Sequence, residues 1–397
     1  MYSPLRHLPA LFIKRQPIQL TFFLTRRCNA RCPYCFYLEN KDDNNNDDEN
    51  ININNINNIN ANDINVNNIS DKNNKQKSNK KQFKTEELSL QEIQRISKSL
   101  GKLLWLAFSG GEIYLRKDLV EISQLFYQQN KPVIMLYPTN GLMPELIKQR
   151  TEQILMQCPN SVIAVKLSID ELDEAHDRLR NTPHSFSKTL ATYFQLAPLL
   201  ARYPNFELGV NTVFCSENQN NMDAIIDFVS TLEYVQTHTI SMVRGNLNHD
   251  HYKRVDYEKY THAVERLAKN IKQTKSGTYH FKGAKLKAAQ DVLQHKLIHR
   301  TLTEQRRQIP CYAGRTNLVL SETGEVYPCE MLTESFGNVR DHDYDLRKVI
   351  QTEEARENIA SIKSGQCFCS HECYFMTNIL LNPAMYPALA KSYLTSF

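Results

Sequence analysis

A chain of 397 residues, 41% of them hydrophobic and 23% charged, can bury one large core, alone or with a smaller appended unit. Its net charge of +5 is small for that length and its basic residues are scattered, which argues against nucleic acid or an anionic membrane as a partner. No apolar run is long enough to span a membrane and the first residues do not form a secretory signal, so a cytoplasmic protein is expected.

Residues 1–16 read as an N-terminal extension. The first strand-like run, Pro17 to Thr25, leads directly into a loop carrying Cys28, Cys32 and Cys35. From Asn40 to about Gln82 the sequence is nearly all Asn, Ile and Asp, then Lys, with no core pattern; this stretch, 40–82, is expected to be a disordered insertion. A helix follows from Ser89 to Leu100. Strands are then predicted over Leu103 to Ser109, Val133 to Tyr137, Val162 to Ile169, Phe206 to Phe214 and Thr239 to Val243. Helical patterns fill the gaps: Lys117 to Gln129, Glu145 to Gln157, Ser185 to Leu200 and Asn221 to Leu232. This alternation predicts an α/β fold, a partial (β/α)6 TIM-type barrel over residues 17–250. A helical connection, 251–310, contains Tyr257 to Gln273 and Ala284 to Ile298. The last unit, 311–397, reads as a small α+β domain with a hairpin, Asn317 to Leu320 and Val326 to Pro328, and a helix that includes Glu353 to Ser361.

Each of the six strands ends in a polar or glycine cluster: the three cysteines, Gly110-Gly111-Glu112, Thr139-Asn140-Gly141, Ser168-Ile169-Asp170, Cys215-Ser216-Glu217 and Arg244-Gly245-Asn246. Reactive groups of such barrels gather at the carboxyl ends of the strands, so the set implies one shared cavity. The ten cysteines are just as unevenly placed. In a reducing compartment clustered cysteines point to metal or redox chemistry, whereas the solitary Cys158 and Cys215 read as small core residues. Three thiolates on one short loop can bind three irons of a four-iron cubane and leave the fourth iron open. A structural zinc ion would want four closed ligands, and neither a histidine nor a fourth cysteine lies near this loop in sequence.

Cys28-x3-Cys32-x2-Cys35, with an aromatic residue, Tyr34, just before the last cysteine, resembles the signature of the radical S-adenosylmethionine (SAM) superfamily. The resemblance implies a [4Fe–4S] cluster on these cysteines with SAM at its open iron. One electron then breaks a carbon–sulfur bond, and the 5′-deoxyadenosyl radical takes hydrogen from an unreactive carbon. Gly110, Gly111 and Glu112 resemble the element that meets the methionine amino group, though Ile113 stands where the family often has proline. Ser168 and Asp170 look like the ribose side of the cofactor site, with Tyr34, Asn140 and Arg180 as further cofactor candidates. For Arg180 a structural ion pair is an even competitor.

Cys311 and Cys329 beside the hairpin, with Cys367, Cys369 and Cys373, resemble the family's auxiliary-cluster domain, called SPASM or, in short form, twitch. Five thiols suffice for one auxiliary [4Fe–4S] cluster with one to spare. The alternative is a zinc-stabilised tail with His371 as an added ligand. Tyr312, Tyr327 and Tyr374 are expected to pack around these cysteines. Arg244 should face the cavity and meet a carboxylate or phosphate, and the run Asp173, Glu174, His176, Asp177 reads as a solvated helix start.

The function implied is oxidation or cross-linking of a peptide or small-molecule substrate, with electrons from an external donor such as flavodoxin or ferredoxin. About sixteen residues precede the first strand, too few for the leader-binding unit of many peptide maturases, which weakens the peptide reading. The competing function is a non-catalytic iron–sulfur or zinc-stabilised scaffold, which retention of all three loop cysteines and Gly110-Gly111-Glu112 does not favour.

Overall fold

All seven residues of the first strand, β1 (Gln19–Thr25), are buried, as expected of a strand covered on both faces of a parallel sheet. In the computed structural model, which describes residues 1–14, 16–37, 86–273, 284–365 and 367–396, β1 lies inside a nine-stranded sheet. The Asn-rich stretch expected to be disordered falls outside the described residues. On one side of β1 run β2 (Trp105–Gly110), β3 (Ile134–Thr139), β4 (Val162–Ser168), β5 (Phe206–Phe214) and β6 (Thr237–Met242), in that order and all parallel. Helices connect them, and the sheet curls without closing. The fold is therefore the partial α/β barrel that the alternation predicts.

The hairpin of the C-terminal unit does not stand apart. Its first strand, β7 (Asn317–Leu320), pairs with the free side of β1 in parallel, with Gln19 opposite Asn317 and Phe22 opposite Leu320. Antiparallel β8 (Glu325–Tyr327) and β9 (Gly337–Asn338) complete the edge. One hydrophobic core runs from Leu20 to Leu389 across both regions.

Local chemistry moves several boundaries. β3 extends through Pro138, because pairing with β2 ends at Leu136 and no N–H is needed from the proline on that side. The helix predicted over Ser185 to Leu200 breaks into α1 (Ser185–Leu196) and a single turn, Leu199–Arg202, around Pro198. The polar run after β4 does form a helix, Asp173–Leu179, but His176 within it is fully buried, its Nδ1 2.9 Å from Ser185 Oγ. Cys158 and Cys215 are buried core residues. Among the described residues no helix is long and apolar enough to cross a membrane.

Glu92 joins the C-terminal unit to the barrel. It closes a capping box with Ser89 at the start of helix Leu90–Ser99. It also accepts from Arg340 Nε at 2.7 Å and Tyr344 OH at 3.0 Å. Burial pushes its carboxyl up, but the bonds from Arg340, Ser89 and Tyr344 outweigh that and hold it down at about 2. A depressed carboxyl stabilises the fold above its ordinary pKa of 4.5, and that contribution is lost as the pH falls towards 2. Glu92→Ala should therefore lower stability by about 3 kcal/mol near neutrality. In urea unfolding, the gap between natural protein and variant should narrow steadily below pH 4.5.

Candidate active site

The cysteine loop leaves β1 and is stitched at once to the loop leaving β2. Gly111 N donates to Thr25 O at 2.8 Å and Glu112 N to Arg27 O at 2.9 Å. The two backbones approach so closely that a Cβ on Gly111 would fall 2.2 Å from Arg27 O, and one on Gly110 2.5 Å from Thr25 O. Gly110 also has a φ of 112°, which side-chain-bearing residues rarely adopt. These glycines are therefore required by the contact between loops.

Glu112 is buried, and its carboxylate turns into the protein. It accepts from Asn140 N at 2.8 Å, Thr139 Oγ1 at 2.9 Å and Tyr114 N at 3.2 Å, bracing the β2 and β3 loops together. Burial outweighs these bonds and pushes its carboxyl up to about 7. Asn140 Nδ2 reaches back to Asn29 Oδ1 at 2.7 Å and stands 3.9 Å from Cys28 Sγ. Ser168 Oγ donates to Thr139 O at 3.2 Å, so the ends of β1 to β4 are linked in sequence order.

Three residues read separately from the sequence form one unit. Asp170 Oδ2 accepts from Tyr34 OH at 2.5 Å and from Arg180 Nη1 at 2.6 Å, while Oδ1 accepts from Val213 N at 2.7 Å. All three side chains are buried. Arg180 thus makes the structural ion pair that competed with cofactor contact. It also lies against the cysteine loop: burial pushes the Cys32 thiol up to about 11, against the pull of Arg180.

The C-terminal thiols also converge. Cys311, Cys329, Cys367 and Cys373 pack against one buried cluster of Ala313, Ile362 and Tyr374. Burial pushes the Cys369 thiol up to about 12, with neighbouring Cys311 and Cys367 acting in the same direction. Thiols so placed cannot ionise together without a cation among them, which fits an iron–sulfur cluster. Among the described residues no three Cys, His, Asp or Glu side chains stand close enough to hold one metal ion as they are placed. His371 Nε2 instead pairs with Glu330 Oε2 at 2.8 Å.

Between the two thiol groups lies a cavity of about 420 Å³ bordered by Cys32 and Cys35 at one point and Cys373 at another. Arg244, at the end of β6, borders it too, but meets carboxylates of its own chain, Glu372 at 3.0 Å and Glu330 at 3.5 Å. The sequence reading missed these two partners, because the residues beside Cys329 and Cys373 carry no spacing signal of their own. It also missed Glu322 in the hairpin turn. That residue is buried and bonded to Arg26 and Tyr37, on either side of the cysteine loop. Lys166 and His238, inside the cavity, were missed as well.

Glu112 yields a pH test. Its folded carboxyl is raised, so its contribution to stability is full below pH 4.5 and falls away as the pH rises through about 7. Relative to the non-ionising variant Glu112→Gln, the metal-free natural protein should lose on the order of 3 kcal/mol between pH 4 and 8, read by urea unfolding. A constant difference would mean that Glu112 is not buried as a carboxyl.

Comparison with known proteins agrees with the site. Residues 22–197 match the family model of the radical SAM superfamily, and residues 311–374 match that of an iron–sulfur cluster-binding domain, SPASM. The chain is 26% identical over 255 residues to the AdoMet-dependent heme synthase of Methanosarcina barkeri, covering 62% of this chain and 68% of that protein. It is 24% identical over 337 residues to the antilisterial bacteriocin subtilosin biosynthesis protein AlbA of Bacillus subtilis, covering 83% of this chain and 59% of that protein. The fold resembles that of Streptococcus suis SuiB bound to S-adenosylmethionine, with a TM-score of 0.55 at 14% identity over 90% of this chain and 70% of SuiB. SAM, a [4Fe–4S] cluster and an auxiliary iron–sulfur centre are the cofactors of this architecture. The chain belongs to the radical SAM superfamily, as an enzyme with a C-terminal SPASM iron–sulfur domain.

Proposed function

We propose that Cys28, Cys32 and Cys35 hold the [4Fe–4S] cluster and that SAM binds beside it at the loops of Gly110, Gly111, Glu112, Asn140, Ser168 and Asp170, with Tyr34 and Arg180 behind. The chain then abstracts hydrogen from an unactivated carbon of a peptide or small molecule, leading to oxidation or cross-linking. The observation that carries this reading is the single cavity bordered by both thiol groups and by the inner faces of the strands. Bound there, cluster and SAM supply the 5′-deoxyadenosyl radical.

The chain's own residues do the rest. Glu112 and the paired glycines hold the loops of β1, β2 and β3 at fixed height. Asp170 keeps Tyr34 and Arg180 in place, and the Arg180 charge favours thiolate at Cys32. Phe36 and Met376 in the cavity wall help to exclude water that would quench a radical. Four of Cys311, Cys329, Cys367, Cys369 and Cys373 hold one auxiliary [4Fe–4S] cluster, which accepts an electron from the substrate or anchors it. The first electron comes from an external donor such as flavodoxin or ferredoxin.

A peptide substrate has the broader support. Similarity to AlbA extends over 83% of this chain, against 62% for the heme synthase. SuiB, of like fold, has also been solved bound to a precursor peptide, SuiA. Anaerobic reconstitution, reduction and addition of SAM should yield methionine and 5′-deoxyadenosine. Their absence from a fully loaded protein would overturn the proposal. Two cubanes correspond to about eight irons per chain. Replacing Cys28, Cys32 and Cys35 together with alanine should abolish cleavage and leave about four.

A further inference from the structure

Inside the barrel, apart from both thiol groups, a lysine stands on the cavity wall. Lys166 occupies the inward position of β4 that precedes Ser168, so it lies about 7 Å deeper than the cofactor loops. An ammonium held in a largely enclosed space is unfavourable unless the fold provides for it. Here the fold does so in two ways. Gly209 lies opposite Lys166 in the β4–β5 register, and a Cβ there would fall 2.6 Å from Lys166 Nζ. The absent side chain is thus the space the amine occupies. On β6 the Nζ is then fixed by the hydroxyls of Thr237 and Thr239, the latter at 3.2 Å.

Those hydroxyls orient the nitrogen without adding opposite charge. Of the carboxylates facing Lys166, Asp291 is ion-paired with a second ammonium, Lys287, and Glu207 faces it from β5. His238 and His295 also border this part of the cavity, and burial holds both imidazoles down towards the neutral form. Burial likewise pulls the Lys166 ammonium down, to about 7. An anion placed on Nζ would restore its charge, so proton and anion bind this site together.

We propose that Lys166 anchors a carboxylate of the substrate, so that the enzyme acts on an acidic peptide side chain, a chain terminus or a carboxylated small molecule. This rests on the reading that the substrate occupies the cavity. The hydroxyls of Thr237 and Thr239 fix the anchor's direction, and Gly209 leaves the space in which the amine sits.

The test is calorimetric titration of the anaerobically reconstituted protein with glutarate and with its neutral diamide, glutaramide. Glutarate should bind at least tenfold more tightly than glutaramide to the natural protein. Lys166→Met should erase that preference, as should Lys166→Gln if the methionine variant does not fold. Gly209→Ala, by crowding the amine, should weaken it. The preference should also fade above pH 7 as Lys166 loses its proton, with Lys287, Glu207, Asp291, His238 and His295 as the other titratable groups facing it. Equal binding of the two ligands, or a glutarate preference that survives Lys166→Met, overturns the proposal. SAM titration separates the remaining carboxylate source. A tenfold loss of SAM affinity in Lys166→Met would assign the anchor to the methionine carboxylate of the cofactor and overturn the assignment to substrate. These readouts do not depend on turnover. If no 5′-deoxyadenosine forms while the glutarate preference still follows Lys166, the radical reading fails and the carboxylate site stands.

Discussion

The pairing of β1 on both of its edges is the constraint from which the site follows. β2 and β7 both run parallel to it, so β1 cannot slip without turning its buried residues out of register with two neighbours. That fixes the height of three loops at once: the cysteine loop of β1, the glycine loop of β2 and the hairpin turn after β7. The close contact of Gly110 and Gly111 with the Thr25 and Arg27 carbonyls is possible only at this register. The same pairing brings Glu322 of the hairpin turn under Arg26 and Tyr37. The second thiol group therefore inherits its position over the cavity from a strand pairing, since the C-terminal unit continues the barrel sheet.

Around that frame, buried carboxylates act as cross-links between loops far apart in sequence. Glu112 joins the ends of β2 and β3, Asp170 joins Tyr34 and Arg180 to β5, and Glu322 joins the cysteine loop to the hairpin. Glu330 and Glu372 join β6, through Arg244, to the C-terminal thiols. A carboxylate serves this purpose because two oxygens can accept several donors from different directions. Fully satisfied, such a network admits one arrangement of its loops; partly satisfied, it would be strongly unfavourable in a buried setting. These bridges tie the loops that face the cavity to one another and to the strands beneath them.

The strands were legible because a parallel strand buried on both faces reads as an apolar run, as in Leu103 to Phe108 or Val162 to Leu167. The cysteine loop was legible because three thiols so close together on one short loop are suited to sharing a metal centre and to little else. What escaped was pairwise. Nothing local in Asn317 to Leu320 says that its partner is β1, and nothing in Glu322, Glu330 or Glu372 names Arg26 or Arg244. Arg244 was expected to meet a carboxylate or phosphate, and it meets two carboxylates of its own chain, Glu372 and Glu330. Lys166 did leave a trace. A single lysine within Val-Ile-Ala-Val-Lys-Leu-Ser is out of place on a strand covered on both faces, and that mismatch marks a position held for something other than packing.

Of the four lysine and arginine side chains on the cavity wall, Lys166, Arg180, Arg244 and Lys287, Arg244 and Lys166 have different tasks. Arg244, at the mouth, is already met by Glu372 and Glu330, and its charge is spent within the protein. Breaking that arrangement for a substrate would strand two buried carboxylates, which is strongly unfavourable. Lys166, deeper on β4, is oriented by neutral hydroxyls, with its amine in the space left by Gly209. In the proposed reaction a radical formed at the cofactor loops would attack only a carbon held at the right distance. On that reading, selection would come from the proposed anchor at Lys166. Along β4 the rise between Lys166 and Ser168 is about 7 Å, and on the proposed reading this separates the anchor from the cofactor loops.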